Sequence, residues 1–155
     1  MSKGIEIERK FLVKNLPESL GEGVMIAQGY LHIGDDGSET RVRRKGKKYF
    51  MTKKSGGGLQ RQEEESEIGE KEFKAAWPKT EGKRVEKTRY KIPYGDQTIE
   101  LDIFAGLLSG LMTAEVEFAS IEASRSFTPP EFLGQDVTND QRYKNQQLAL
   151  YGIPR

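Results

Sequence analysis

The stretch Ile5 to Val13, "IEIERKFLV", alternates charge with hydrocarbon. Extended backbone sends successive side chains to opposite faces. As a strand, it puts Glu6, Glu8, Lys10 and Leu12 on one face. Ile5, Ile7, Phe11 and Val13 fall on the other, with Arg9 among them. The fold turns on which face looks inward. An ordinary half-buried antiparallel sheet sends its charges to water. A closed barrel can send them into a lumen instead.

Strand-like runs fill most of the remaining chain. "VMIAQGYLHI" (Val24–Ile33) ends at the turn "GDDGS", and "ETRVRRK" and "KKYFMTKK" are split by Gly46. "SGGG" (Ser55–Gly58) leads into "LQRQEEESEI"; it lacks the Gly-Lys-Ser/Thr ending of a phosphate loop and reads as a hairpin tip. "RVEKTRYKIPY", "TIELDIF" and "MTAEVEFAS" read as three more strands. Phe73, Ala76 and Trp77 have helical spacing, stopped by Pro78. "SIEASRSF" reads as a second short helix before Pro129 and Pro130. The tail "DVTNDQRYKNQQLALYGIP" predicts a third, capped at Thr138 or Asn139, with Thr138 and Gln141 as a capping box and Gly152 and Pro154 as its stop. The expectation is one domain over residues 1–155, with about eight strands, three short helices and no internal repeat.

The charged faces are not mixed at random. Glu6/Glu8, Glu100/Asp102 and Glu115/Glu117 share faces, as do Arg41/Arg43 and Lys87/Arg89. Arg61, Glu63 and Glu65 line up together, and Lys53 follows Met51 on its face. Like charges crowded on one surface repel. A divalent cation relieves crowded carboxylates, and a polyanion relieves crowded Lys and Arg. Together they point to a site for a metal-bound, highly charged phosphate. Eight strands closing into a barrel would turn these faces into a hydrophilic lumen, leaving helices to cover an apolar outer wall. Arg9 then points outward with no assigned role.

Composition narrows the chemistry. The chain has 25 Lys and Arg against 24 Asp and Glu, a net charge of +1, which argues against a general nucleic-acid binder. There is no cysteine, so disulfides, thiolate metal sites and Cys nucleophiles are excluded. His32 is the sole histidine. A metal would take oxygen ligands, favouring Mg²⁺, Mn²⁺ or Ca²⁺ over zinc. No apolar run has the length of a signal peptide or a membrane span, and a cytoplasmic protein is expected.

Glu6-Ile7-Glu8-Arg9-Lys10 fits the pattern Glu-x-Glu-x-Lys. In order there follow Arg41-Val42-Arg43, Thr52-Lys53, Arg61-Gln62-Glu63, Val85 to Tyr90, Glu100-Leu101-Asp102 and Glu115-Val116-Glu117. This series, over about residues 5–145, resembles the CYTH superfamily, or triphosphate tunnel metalloenzymes, and looks closest to the small bacterial single-domain inorganic triphosphatases. The resemblance implies an α+β, predominantly antiparallel fold: an eight-stranded closed tunnel with a charged lumen and short helices packed outside. It implies a metal-dependent phosphoric anhydride hydrolase that cleaves inorganic triphosphate to pyrophosphate and phosphate with Mg²⁺ or Mn²⁺.

Carried over by position, Glu6, Glu8 and Glu117 look like metal ligands, with Asp102 and Glu115 as further candidates. Lys10, Arg41, Arg43, Lys53, Arg61, Lys87, Arg89 and Lys144 look like the phosphate-binding set, Lys144 as a gate at the tunnel mouth. Lys87, Arg89 and Glu117 are the expected catalytic residues, and Glu63 and Glu65 the orienting ones. Family members of other activity leave alternatives open: a class IV-type adenylate cyclase, a thiamine or nucleoside triphosphatase, or a non-catalytic polyanion-binding module. No base-binding segment is expected before Glu6. The expected partner is a small-molecule triphosphate rather than a membrane or a nucleic acid, and a homodimer stays open.

Overall fold

A computed structural model describes residues 2–57 and 59–155; Gly58 of the expected hairpin tip lies outside them. Among the described residues nine strands follow the chain: β1 (Ser2–Val13), β2 (Gly23–Ile33), β3 (Glu39–Lys45), β4 (Lys48–Gly57), β5 (Gln60–Ile68), β6 (Arg84–Tyr94), β7 (Gln97–Phe104), β8 (Met112–Glu117) and β9 (Leu133–Asp136). The helices are α1 (Glu70–Ala76), α2 (Ile121–Ser126) and α3 (Asn145–Tyr151). The first eight strands pair antiparallel in the order β5-β4-β3-β2-β6-β7-β8-β1, and β1 pairs back onto β5, so the sheet closes. Closure leaves the eight barrel strands without a free edge. β1 is long enough to pair with β5 along its first half and β8 along its second.

β9 was not expected. It lies on β1, Phe11 opposite Asp136 and Val13 opposite Leu133, and adds an outer flap to the barrel. The tail also departs from expectation. Thr138 does not cap a helix: its hydroxyl accepts the Lys10 N–H at 3.0 Å, while Val137 N donates to Lys10 O at 2.8 Å. Residues 137–138 are thus tied to β1 and cannot turn into helix. A short 3₁₀ turn, Gln141–Tyr143, precedes α3, which ends where Gly152 takes φ +80° as the sequence predicts.

The barrel has apolar packing in three places. Outside, Phe11, Ile99, Ala114, Val116, Phe118 and Leu133 pack with Ala123 and Phe127 of the α2 region. Each of the larger side chains, from Val to Phe, contributes about 2 kcal/mol by removal from water. Inside, the inward faces change from charged to apolar toward one end, where Val85, Phe104, Leu108, Leu111 and Leu148 cluster with Leu12 and Tyr143. α3 therefore supplies part of a plug at that end of the barrel. On a third side, Phe73 of α1 packs on Tyr49 and Trp77 at ring separations of 4.9 and 5.1 Å. Gly29 permits this cover: a Cβ there would lie 2.4 Å from Thr80 Oγ1. Among the described residues no helix is long and apolar enough to cross a membrane.

Candidate active site

Strand alternation carries Glu6, Glu8 and Lys10 inward, as the barrel reading of "IEIERKFLV" requires. They line a cavity of about 200 Å³ together with Arg41, Arg43, Arg61, Glu63, Glu65, Lys87, Arg89, Glu115, Glu117 and Lys144. These residues come from β1, β3, β5, β6, β8 and the segment before α3, so only barrel closure brings them together. Two residues of the expected set lie elsewhere. Lys53 is exposed on the outer face, because the inward residues of β4 are Thr52, which is buried, and Lys54. The lumen lysine of β4 is Lys54. Asp102 faces inward but is fully buried beneath the cavity wall, 2.7 Å from Lys87 Nζ and bidentate to Arg89 at 2.8 and 2.9 Å. Both of its oxygens are engaged by Lys87 and Arg89.

The acidic end is built on β1 and β8. The register places Glu8 opposite Glu117 and Lys10 opposite Glu115. One carboxylate oxygen each from Glu6, Glu8 and Glu117 lies within 4.8 Å of the others, an all-oxygen donor set suited to a hard cation. Its electrostatics fit the same purpose. Burial, then Glu115 and Glu6, push the Glu8 carboxyl well up. Burial and the neighbouring acids also raise Glu117. Burial and a hydrogen bond with Glu6 raise Glu63 to about 7. Burial alone would raise Glu115 too, but Lys10, Arg89 and Lys87 hold it well below the usual carboxylate range. Lys54 Nζ sits 3.1 Å from both oxygens of Glu6 and 3.6 Å from Glu63.

The basic residues are held by partners on neighbouring strands and on the 3₁₀ turn before α3. Lys10 Nζ donates to Tyr143 O at 2.7 Å. Arg43 reaches Glu65 at 3.3 Å, and Thr52 Oγ1 donates to the same oxygen at 2.9 Å. Glu65 thus bridges Arg43 of β3 and Thr52 of β4. Burial, followed by Arg41 and Arg89, brings Arg43 down to about 10, the mark of a cation short of negative charge. Burial, with Arg89 adding to it, lowers Lys87 to about 8 although Asp102 opposes the shift. Among the described residues, the Nε groups of Arg41, Arg43 and Arg61 are buried without a hydrogen-bond partner. Such groups are costly to leave unpaired, and an anion in the lumen would satisfy them.

Sequence reasoning missed Glu39, Lys45, Lys54, Gln28 and Tyr30, all of which line the cavity. Glu39 was findable: it shares a strand face with Arg41 and Arg43. Gln28 and Tyr30 carry no formal charge and gave no signal among the charged faces.

A closed antiparallel barrel whose lumen interleaves Lys and Arg with Glu, and which gathers three carboxylates at one place, defines a tunnel protein for a polyanion and a cation. Residues 4–135 match the family described as the CYTH domain, and the chain belongs to that family. It is 54% identical over 147 residues to an inorganic triphosphatase of Nitrosomonas europaea, covering 94% of this chain and 97% of that one. It is 38% identical to an inorganic triphosphatase of Acetivibrio thermocellus, with 94% of each chain covered. The crystal structure of the inorganic triphosphatase NE1496 superposes with a TM-score of 0.72 at 50% identity, over 97% of each chain.

Proposed function

We propose that the chain hydrolyses inorganic triphosphate to pyrophosphate and phosphate, with Mg²⁺ or Mn²⁺ held by Glu6, Glu8 and Glu117. One observation carries this reading: a single cavity joins that three-carboxylate cluster to nine Lys and Arg side chains, Lys10, Arg41, Arg43, Lys45, Lys54, Arg61, Lys87, Arg89 and Lys144. The triphosphatase relatives support the same substrate.

The Arg side chains bind phosphoryl oxygens in pairs, and the Lys side chains other than Lys87 act as point charges. A bound divalent cation supplies neutralisation of the phosphate charge and polarisation of a phosphoryl oxygen. Phosphoryl transfer has a loose transition state, so positioning and electrostatics dominate. Water attacks the terminal phosphorus, its bond to the bridging oxygen breaks, and pyrophosphate leaves. Lys87, with a pKa of about 8, is the lumen amine best suited to accept the proton of the attacking water. Arg89, locked on Asp102, holds its charge for the departing pyrophosphate.

The test is phosphate release from tripolyphosphate, pyrophosphate, ATP, GTP and thiamine triphosphate, each with Mg²⁺ and with Mn²⁺. Fastest turnover of tripolyphosphate, with equal phosphate and pyrophosphate, is the expected result. Cyclic AMP from ATP as the main product, or tight tripolyphosphate binding without release, overturns the proposal.

A further inference from the structure

Glu39 and Gln146 form a latch that the proposed reaction does not use directly. Glu39 stands at the start of β3 and Gln146 in the first turn of α3, 107 positions apart. Both are buried, at 4% and 1% exposure. Gln146 Nε2 donates to Glu39 Oε1 at 3.1 Å and to Gly37 O at 3.0 Å. Arg61 Nη2 donates to the same two acceptors, at 3.2 and 3.0 Å. The other oxygen of Glu39 lies 3.6 Å from Arg41 Nη1. Lys144, two residues before Gln146, lies against the same turn: its Nζ would be 3.3 Å from a Cβ at Gly37.

We infer that Glu39 and Gln146 are positioning residues for the phosphate-binding set, fixing Arg41, Arg61 and Lys144 by tying the α3 segment to the β2–β3 turn. One buried carboxylate serves two lumen arginines and the only α3 side chain among the described residues that hydrogen-bonds the turn. Burial favours protonation of Glu39, but Arg41, Lys54 and Arg61 keep it ionised. An ionised acceptor holds a guanidinium at fixed distance and angle. Gln146 contributes two donors without charge, so it fastens α3 without competing electrostatically with Arg61. The substrate then meets two guanidiniums and an ammonium already in place, and the ordering entropy is not lost again on binding. The inference rests on the triphosphate reading of the lumen.

The experiment measures tripolyphosphate affinity by calorimetry in EDTA, and steady-state kinetics with Mg²⁺, for Gln146→Leu, Glu39→Gln and Gln146→Asn. Gln146→Leu keeps the volume and removes both donors. It is expected to weaken binding and raise KM about tenfold, with kcat within about twofold, as for a lost ground-state positioning contact. Glu39→Gln follows in the same direction, and Gln146→Asn restores less than half the loss. The deciding readout is a double-mutant comparison: Gln146→Leu changes the affinity of Arg61→Ala by less than about twofold, because contacting residues do not add. Full additivity overturns the latch, as does a fall in kcat with KM unchanged. If a variant does not fold, the comparison is made with Glu39→Gln alone. Wild-type protein that binds tripolyphosphate without hydrolysing it overturns the proposed reaction and leaves the latch measurable; wild-type protein that does not bind it overturns both.

Discussion

Lys54 Nζ lies 3.1 Å from both carboxylate oxygens of Glu6, inside the acidic cluster built by Glu6, Glu8 and Glu117. The ammonium supplies positive charge to carboxylates that would otherwise repel. Removing one partner of a buried ion pair leaves the other uncompensated. Lys54→Met is therefore expected to cost about 3 kcal/mol without metal, or roughly 9 °C in Tm. Mg²⁺ or Mn²⁺ supplies the missing charge, so the difference in Tm between EDTA and excess cation widens relative to wild type. Scanning calorimetry in both conditions checks this; an equal difference in the two proteins contradicts the cation site.

Cation binding carries a pH signature. Burial and neighbouring acids raise Glu8, and Glu63 stands at about 7, so part of the cluster holds protons near neutrality. A cation must displace them. Affinity for Mn²⁺ then rises with pH through about 7, roughly tenfold between pH 6 and 8. Titration calorimetry in buffers of different ionisation enthalpy reads the released protons directly. Buffer-independent enthalpies at pH 6.5 would count against this set of ligands.

Lys87 has two consequences of opposite origin. Its folded pKa, about 8, is below the ordinary 10.5, chiefly through burial. Between those values the unfolded chain binds more protons than the folded one, so the contribution of Lys87 to stability increases with pH across that window, by at most about 1.4 kcal/mol per unit. Below pH 8 both states hold the proton and the cost of burying the charge is felt in full. In catalysis the neutral amine is the useful form, so kcat/KM for tripolyphosphate rises through about pH 8. Lys87→Arg stays charged, loses about a hundredfold in kcat and loses the alkaline rise. A pH–rate profile of both proteins decides it.

The inward turn of the charged faces was legible because like charges repeat at period two on β1, β3, β6, β7 and β8. On β4 the pattern was ambiguous: Lys53 and Lys54 are adjacent, and either parity puts one lysine inside. Packing decides it, since Thr52 must reach Glu65 and Lys54 must reach Glu6. The apolar plug escaped notice because Leu12, Val85 and Phe104 continue faces otherwise read as charged. β9 has only four residues, too few for a periodic signal. The tail helix was placed too early because Thr138 is a good cap by composition, yet its hydroxyl is occupied by Lys10. The parity of β4 is open to direct test. Lys53→Ala is expected to leave kcat/KM within about twofold, as exposed substitutions usually do, while Lys54→Ala lowers it tenfold or more. Reversal of that order would put β4 in the other register.

Arg9 had no role in the sequence pattern, and its position outside the barrel explains both that silence and its use. Its guanidinium donates to Ser124 O at 3.0 Å and Phe127 O at 3.2 Å, at the end of α2, and to Asp136 Oδ2 of β9 at 3.0 and 3.1 Å. It lies 4.9 Å from the ring centroid of Phe11 and 5.8 Å from that of Phe127. One side chain thus fastens a helix terminus and the ninth strand to β1, over the outer apolar layer. Arg9→Met keeps much of the hydrocarbon and loses the donors. The last carbonyls of α2 then lack partners, at a cost of about 2 kcal/mol. Chemical denaturation should show that loss while KM and kcat for tripolyphosphate stay within about twofold, because Arg9 points away from the lumen and the barrel register of β1 is set by β5 and β8. A large kinetic effect without a stability change would mean that β9 and α2 help shape the lumen from outside.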